Sequence, residues 1–158
     1  MKLAWYILLV TPALAQQSEF ATGQSNYRAG EFKVAISHFQ RALVANPKDA
    51  ASNYWMGRSY ETLADIATPF GRKYRSLART YLTAAAELAP DRPEYRRELF
   101  DFLLDANQQR LALGVLKASA ETDPEYDYML SRFEQTRKVN SSFNGRVCAG
   151  FRVLTFVP

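Results

Sequence analysis

Side chains suited to chemistry are few in this sequence. It has one histidine, His38, and one cysteine, Cys148. An enzyme needs acids, bases or ligands that converge, and His38 sits between Ser37 and Phe39 in a helical stretch, where a structural, partly buried imidazole is expected. There is no His-Glu-x-x-His run, no paired cysteine and no Asp-rich loop to hold a metal ion. Glycine loops of the phosphate-binding kind are also missing. Asp101 and Asp105 share a helix face at four-residue spacing, where they are expected as solvated or salt-bridged carboxylates rather than an acid–base pair. The sequence therefore predicts no catalysis, no metal and no cofactor. Cys148 has no partner for an internal disulfide and is expected as a small, half-buried apolar residue, with pairing between chains left open. Helix packing alone must hold the fold.

Composition narrows the class. A chain of 158 residues has room for one domain, and 47% hydrophobic with 23% charged residues is the balance of a folded protein, not a disordered one. The formal net charge of +4 is too small to argue for nucleic acid. Met1 and Lys2 precede the apolar run Leu3 to Val10, then Pro12 and Ala13-Leu14-Ala15 before Gln16. That layout is a signal peptide over 1–15, since the run is too short to span about 30 Å of bilayer core and Ala-x-Ala suits a signal peptidase. Export to a periplasmic or secreted location is the expectation.

Internal periodicity organises the remainder. Three segments close on a small residue, a bulky one, a small one and a proline: Ala35-x3-Phe39-x2-Ala42-x4-Pro47, Ala78-x3-Leu82-x2-Ala85-x4-Pro90 and Ala112-x3-Leu116-x2-Ser119-x4-Pro124. Upstream, Gly23 and Gly57 stand at equivalent positions, Met56-Gly57-x2-Tyr60 extends the pattern, and Gly30 marks a turn. Leu99-Phe100 places a ring where the first two segments have glycine. Asp49, Asp91 before Pro93, and Asp123 before Pro124 are helix-start signals. Helices are expected at about 17–29, 32–45, 50–66, 72–88, 93–106, 109–121 and 125–138. The second segment is longer than the others, with a break at Pro69 and Gly71 and a basic tip of Arg72, Lys73, Arg75 and Arg79. Tyr126, Met129, Leu130 and Phe133 recur at three and four, the mark of an amphipathic closing helix. The tail 139–158 is apolar and interrupted, with Asn144-Gly145 able to close a small hairpin.

These residues resemble the tetratricopeptide repeat (TPR), with its L-G-x2-Y, A-x3-F and closing proline, over about 16–124. The resemblance implies an all-α, right-handed solenoid of three helix-turn-helix repeats, about 16–49, 50–92 and 93–126, with a capping helix at 125–138. It further implies a non-catalytic scaffold whose first helices line a concave groove for a protein or peptide. By position, the groove-facing candidates are Phe20, Gln24 and Tyr27, then Tyr54, Arg58 and Glu61, then Arg97, Asp101 and Leu104. Tyr27 and Tyr54 would offer rigid area, and Arg58 and Arg97 would clamp a carboxylate or stack on a ring. Phe20 and Gln24 stand where a chaperone-tail carboxylate clamp would begin, so that clamp is not expected. An alternative is a membrane-peripheral element touching the envelope through the basic turn and the apolar tail.

Overall fold

A computed structural model of the chain describes residues 17–69, 71–119 and 123–150. The segment 1–15, expected from the sequence as a signal peptide, and the final residues 151–158 lie outside them. Among the described residues there are seven helices and no strand: α1 (17–28), α2 (Phe32–Ala45), α3 (Ala50–Ile66), α4 (Arg72–Leu88), α5 (Pro93–Asp105), α6 (Gln109–Ala118) and α7 (Tyr126–Gly150). The chain divides within α5 into two compact units, 1–99 and 100–158.

The helix starts follow from the capping residues. The Asp49 carboxylate accepts from the Ser52 N–H at 3.0 Å and opens α3, satisfying one of the donors that a first turn leaves without partners. Proline begins α5, where its missing N–H costs nothing. Asp123 Oδ1 accepts from the Glu125 N–H at 3.0 Å just ahead of α7. At the far end of α5, Asn107 takes a left-handed φ of 57° while its N–H and that of Gln108 bond the carbonyls of Leu104 and Leu103. This closure satisfies the last carbonyls of the helix, and asparagine is the non-glycine residue that tolerates it best.

The small and bulky residues of all three repeated signatures are buried, while the closing prolines Pro47, Pro90 and Pro124 are exposed. Ala35, Phe39, Ala42, Ala78, Leu82, Ala85 and Ala112 are fully inaccessible, and Leu116 and Ser119 are 4% and 7% exposed. In the first unit Ala35, Ile36, Phe39 and Met56 form a core against which Phe20, Tyr27, Leu43, Trp55, Tyr60, Leu63 and Tyr81 pack. Behind it, Tyr60 stacks on both Tyr74 and Tyr81, joining α3 to α4. The second unit buries Phe100, Phe102, Leu103, Leu104, Ala112, Leu116 and Met129.

The repeated glycine explains how paired helices come so near. A Cβ on Gly23 would stand 2.6 Å from the Phe39 ring, and one on Gly57 would stand 2.7 Å from Leu82 Cγ. Phe39 and Leu82 are the bulky residues of the first and second signatures, so each fills the notch that its own repeat leaves open. Phe100 occupies the equivalent place in the third repeat and is fully buried.

Two features differ from the sequence expectation. The closing helix, expected over 125–138, runs from Tyr126 to Gly150, and Asn144-Gly145 lies within it rather than in a hairpin turn. Val139, Phe143 and Val147 recur every four residues, a helical period that prevails over the local turn preference. α6 stops at Ala118, three residues short of its expected end.

Gly57→Ala sets helix propensity against space. Alanine gains about 1 kcal/mol in a helix interior, but Leu82 is fully buried, cannot retract, and has its backbone N only 3.1 Å from the new Cβ. We expect a net loss of about 1–3 kcal/mol, read as a lower thermal midpoint. Gly114→Ala, with nothing within 4 Å, should instead gain about 1 kcal/mol; equal signs for the two would refute the notch.

Candidate functional site

Three helices bring polar and aromatic side chains together in the first unit: α1, α3 and the first half of α5. Their rings form a ladder. Tyr27 meets Trp55 edge-on at 5.1 Å, Trp55 meets Tyr54 edge-on at 5.6 Å, and Tyr54 stacks on Tyr95 at 4.7 Å with 22° between planes. Arg92 lies 6.0 Å over the Tyr95 ring at the end of the series. Edge-on and offset contacts are the favourable ones for ring quadrupoles, each worth about 0.5–1.5 kcal/mol beyond burial.

Beside the ladder stands an ion cluster. Arg58 pairs with Glu61, one turn on in α3, at 3.5 Å and with Glu98 of α5. Both carboxylates are largely covered, with side chains 23% and 16% exposed, while that of Arg58 is 34% exposed. Partial burial disfavours the Arg58 charge, but the Glu61 carboxylate and the Tyr27 and Tyr54 oxygens outweigh it and hold the guanidinium pKa above its usual value. Thr62 Oγ1 donates to the Arg58 carbonyl at 3.0 Å, so across their 3.4 Å contact the Tyr27 hydroxyl is the donor to Thr62.

Burial pushes the Tyr54 and Tyr95 hydroxyls above their ordinary values. Both therefore stay protonated at neutral pH, and neither makes a hydrogen bond among the described residues. The result is a rigid pair of rings with donors available next to a fixed guanidinium–carboxylate group. It offers area, hydrogen bonds and local charge.

The nine candidates named from sequence part company here. Tyr27, Tyr54, Arg58 and Glu61 come together. Gln24 and Arg97 are half-buried on α1 and α5, with the Arg97 charge near enough to act on the Tyr54 hydroxyl. Phe20 is partly buried and packs against the core, its ring 6.0 Å from Phe39. Leu104, expected to face a groove, is 6% exposed and buried within the second unit, where its aliphatic side chain gains more from the core than from a polar surface. Asp101, also in the second unit, accepts from Tyr128 at 3.0 Å and pairs with Arg132 at 3.1 Å, both from α7. Arg132 also reaches Asp105 at 3.0 Å.

Tyr95, Glu98, Thr62 and Trp55 were not foreseen. A signal for two of them exists: Trp55 lies two residues before Gly57, and Glu98 lies two residues before Phe100. In each case that residue reaches back to the first helix of the preceding repeat, Trp55 to Tyr27 and Glu98 to Arg58.

His38 is placed in a second polar cluster. Its Nδ1 is 2.7 Å from Glu19 Oε2, and Arg41 Nε donates to the same oxygen at 2.9 Å, tying α1 to α2. Among the described residues no group of three or more His, Cys, Asp or Glu is placed to hold a metal ion. Nor, among them, is any helix long and apolar enough to cross a membrane.

The architecture is that of an all-α, TPR-like helical repeat protein. The chain is similar in structure to the type III secretion chaperone SycD of Yersinia enterocolitica, solved in complex with a peptide of the translocator YopD. The TM-score is 0.58 at 14% identity, covering 81% of this chain and 93% of that one. A thermophilic TPR protein of Thermus thermophilus aligns over 77% of this chain and 98% of its own at 19% identity, with a TM-score of 0.28 that carries no argument. No protein-family model matches the chain, and no curated protein matches it.

The Glu19 carboxyl is held below its ordinary pKa by the hydrogen bond to His38 first and by that to Arg41 second. A depressed carboxyl contributes stability above its unfolded pKa, and loses that contribution as pH falls through the folded value. The wild-type thermal midpoint should therefore drop more steeply below about pH 4.5 than that of Glu19→Gln. Parallel curves would show that the contact contributes nothing.

Proposed function

We propose that this protein is an exported, non-catalytic adaptor that binds a protein or peptide segment on the first-helix face of its first unit. The observation that carries this reading is the stacked Tyr54–Tyr95 pair, with its two unspent hydroxyl donors, beside the Arg58–Glu61–Glu98 group. Tyrosine and arginine dominate the residues that carry binding energy at protein interfaces, because they bring large area at low entropic cost. Here both are already held in place. The rings are fixed by their neighbours and the guanidinium by two carboxylates, so little ordering cost remains for the moment of binding. A fold shared with a chaperone whose structure contains a partner's peptide is in keeping with this use. Export rests on the Lys2, Leu3 to Val10 and Ala13-Leu14-Ala15 sequence.

Arg58 is not a ready carboxylate clamp, since Glu61 and Glu98 already share its guanidinium. Its part is to fix charge and position beside the tyrosines, while Tyr54, backed by the 8%-exposed Tyr95, supplies the contact area.

A photoreactive side chain in place of Tyr54 should cross-link a partner segment in envelope or secreted fractions, and the same group in place of exposed Lys33 on α2 should not. For a peptide made from the cross-linked segment, Tyr54→Ala should weaken affinity at least about tenfold, or roughly 1.4 kcal/mol, with helicity unchanged. Cross-linking from position 33 but not 54 would move the binding surface elsewhere. Export is checked separately by N-terminal sequencing of the mature protein, expected to begin at Gln16.

A further inference from the structure

The positive charge of the chain is concentrated on one short surface of the first unit. Between Asp65 and Arg79 stand Arg72, Lys73, Arg75 and Arg79 against the single acid Asp65, a balance of +3 where the whole chain carries +4. All four cations are exposed on α4. Arg72, Arg75 and Arg79 follow helical spacing and form a stripe rising about 10 Å along one face.

The fold gains little from the cations at the start of α4. Arg72, Lys73 and Arg75 lie in the first turn of α4, at the end where the helix dipole is positive and cations are disfavoured. Gly71 at the N-cap offers no side-chain acceptor. α4 has no acidic residue before Glu87, so the stripe has no intrahelical ion pair. Asp65 approaches Arg75 only at 3.9 Å, with both side chains half or more exposed, a contact of little value to stability. Among the described residues Arg72 and Lys73 make no ion pair.

We infer that this stripe docks an acidic polypeptide segment, one whose Asp or Glu side chains meet Arg72, Arg75 and Arg79. Three of the four cations are arginine, whose planar fork binds a carboxylate through two parallel hydrogen bonds, where lysine acts as a point charge. A lipid surface fits less well. Membrane-binding helices set apolar residues for insertion beside the basic ones, and the positions on this stripe next to the arginines are Ser76 and Thr80. Exposed Ile66, beside Asp65 at the end of α3, is one aliphatic contact, enough to seat a segment and small for insertion. The stripe is on the second helix of its pair and needs neither Tyr54 nor Arg58, so it stands whether or not the first-helix face binds a partner.

The test uses the full chain and a fluorescent oligoglutamate peptide about twelve residues long, a length that spans the stripe when helical. The same samples are titrated with vesicles containing phosphatidylserine. Arg72→Ala/Arg75→Ala/Arg79→Ala should weaken peptide binding at least about tenfold. A control that removes as much charge from exposed positions elsewhere, Arg28→Ala/Lys33→Ala/Arg110→Ala, should weaken it less than about twofold. Arg72→Lys/Arg75→Lys/Arg79→Lys keeps the charge and should still lose several-fold, the signature of fork recognition. Equal losses in the first two variants would reduce the effect to overall charge and overturn the proposal. So would vesicle binding that depends on the stripe when peptide binding does not.

Discussion

Close approach of two helices at a glycine is the constraint on which the rest of the molecule depends. Without a Cβ on Gly23 or Gly57, the Phe39 ring and the Leu82 side chain reach the facing backbone, and α1 meets α2 and α3 meets α4 at a separation no larger residue allows. That separation lets the small residues of each signature, Ala35 and Ala42 or Ala78 and Ala85, be fully buried. It also fixes the outward rotation of each first helix. Once the bulky residue is seated, the positions three before the glycine and one or four after it have a set direction, and Tyr54, Arg58 and Glu61 take theirs from Gly57.

The ion cluster is better understood as a consequence of that geometry than as a source of stability. Partly covered charges lose hydration, and their mutual attraction does little more than offset the loss. What the cluster does provide is position. Arg58 is drawn toward Glu98 of the next first helix and toward Glu61 of its own, and Tyr27 is tied to Thr62, so a surface of long and mobile side chains is held in one arrangement. In the second unit the same logic operates with different residues: Asp101 is occupied by Tyr128 and Arg132 of α7. There the charge partners come from a helix of the chain itself.

Much of the fold was legible because the repeat writes the same physical demand three times. Alanine, a bulky residue, a small residue and proline at fixed spacing can be recognised without knowing what they touch, and the capping residues Asp49 and Asp123 mark helix starts by purely local chemistry. The candidate site was legible only in part. Position within a repeat pointed to Tyr27, Tyr54, Arg58 and Glu61, since that offset belongs to one helix. Tyr95 and Glu98 escaped because their role depends on the register between successive first helices, which no single segment encodes. Phe20 and Leu104 pack against apolar neighbours for a related reason: the offset gives a direction, whereas burial depends on what stands opposite. In α7 the local turn signal of Asn144-Gly145 was outweighed by an apolar period that becomes apparent only over three turns.

Trp55 sits at the centre of the aromatic ladder, with the ring centres of Tyr27 and Tyr54 5.1 and 5.6 Å from its own. At such separations light absorbed by the tyrosines passes to the indole, whose emission colour and quantum yield change with nearby charge and water. The proposed contact surface thus contains its own optical reporter. A segment laid against Tyr54 would displace water from the neighbourhood of this indole and register as a change in emission, with no label introduced into the protein.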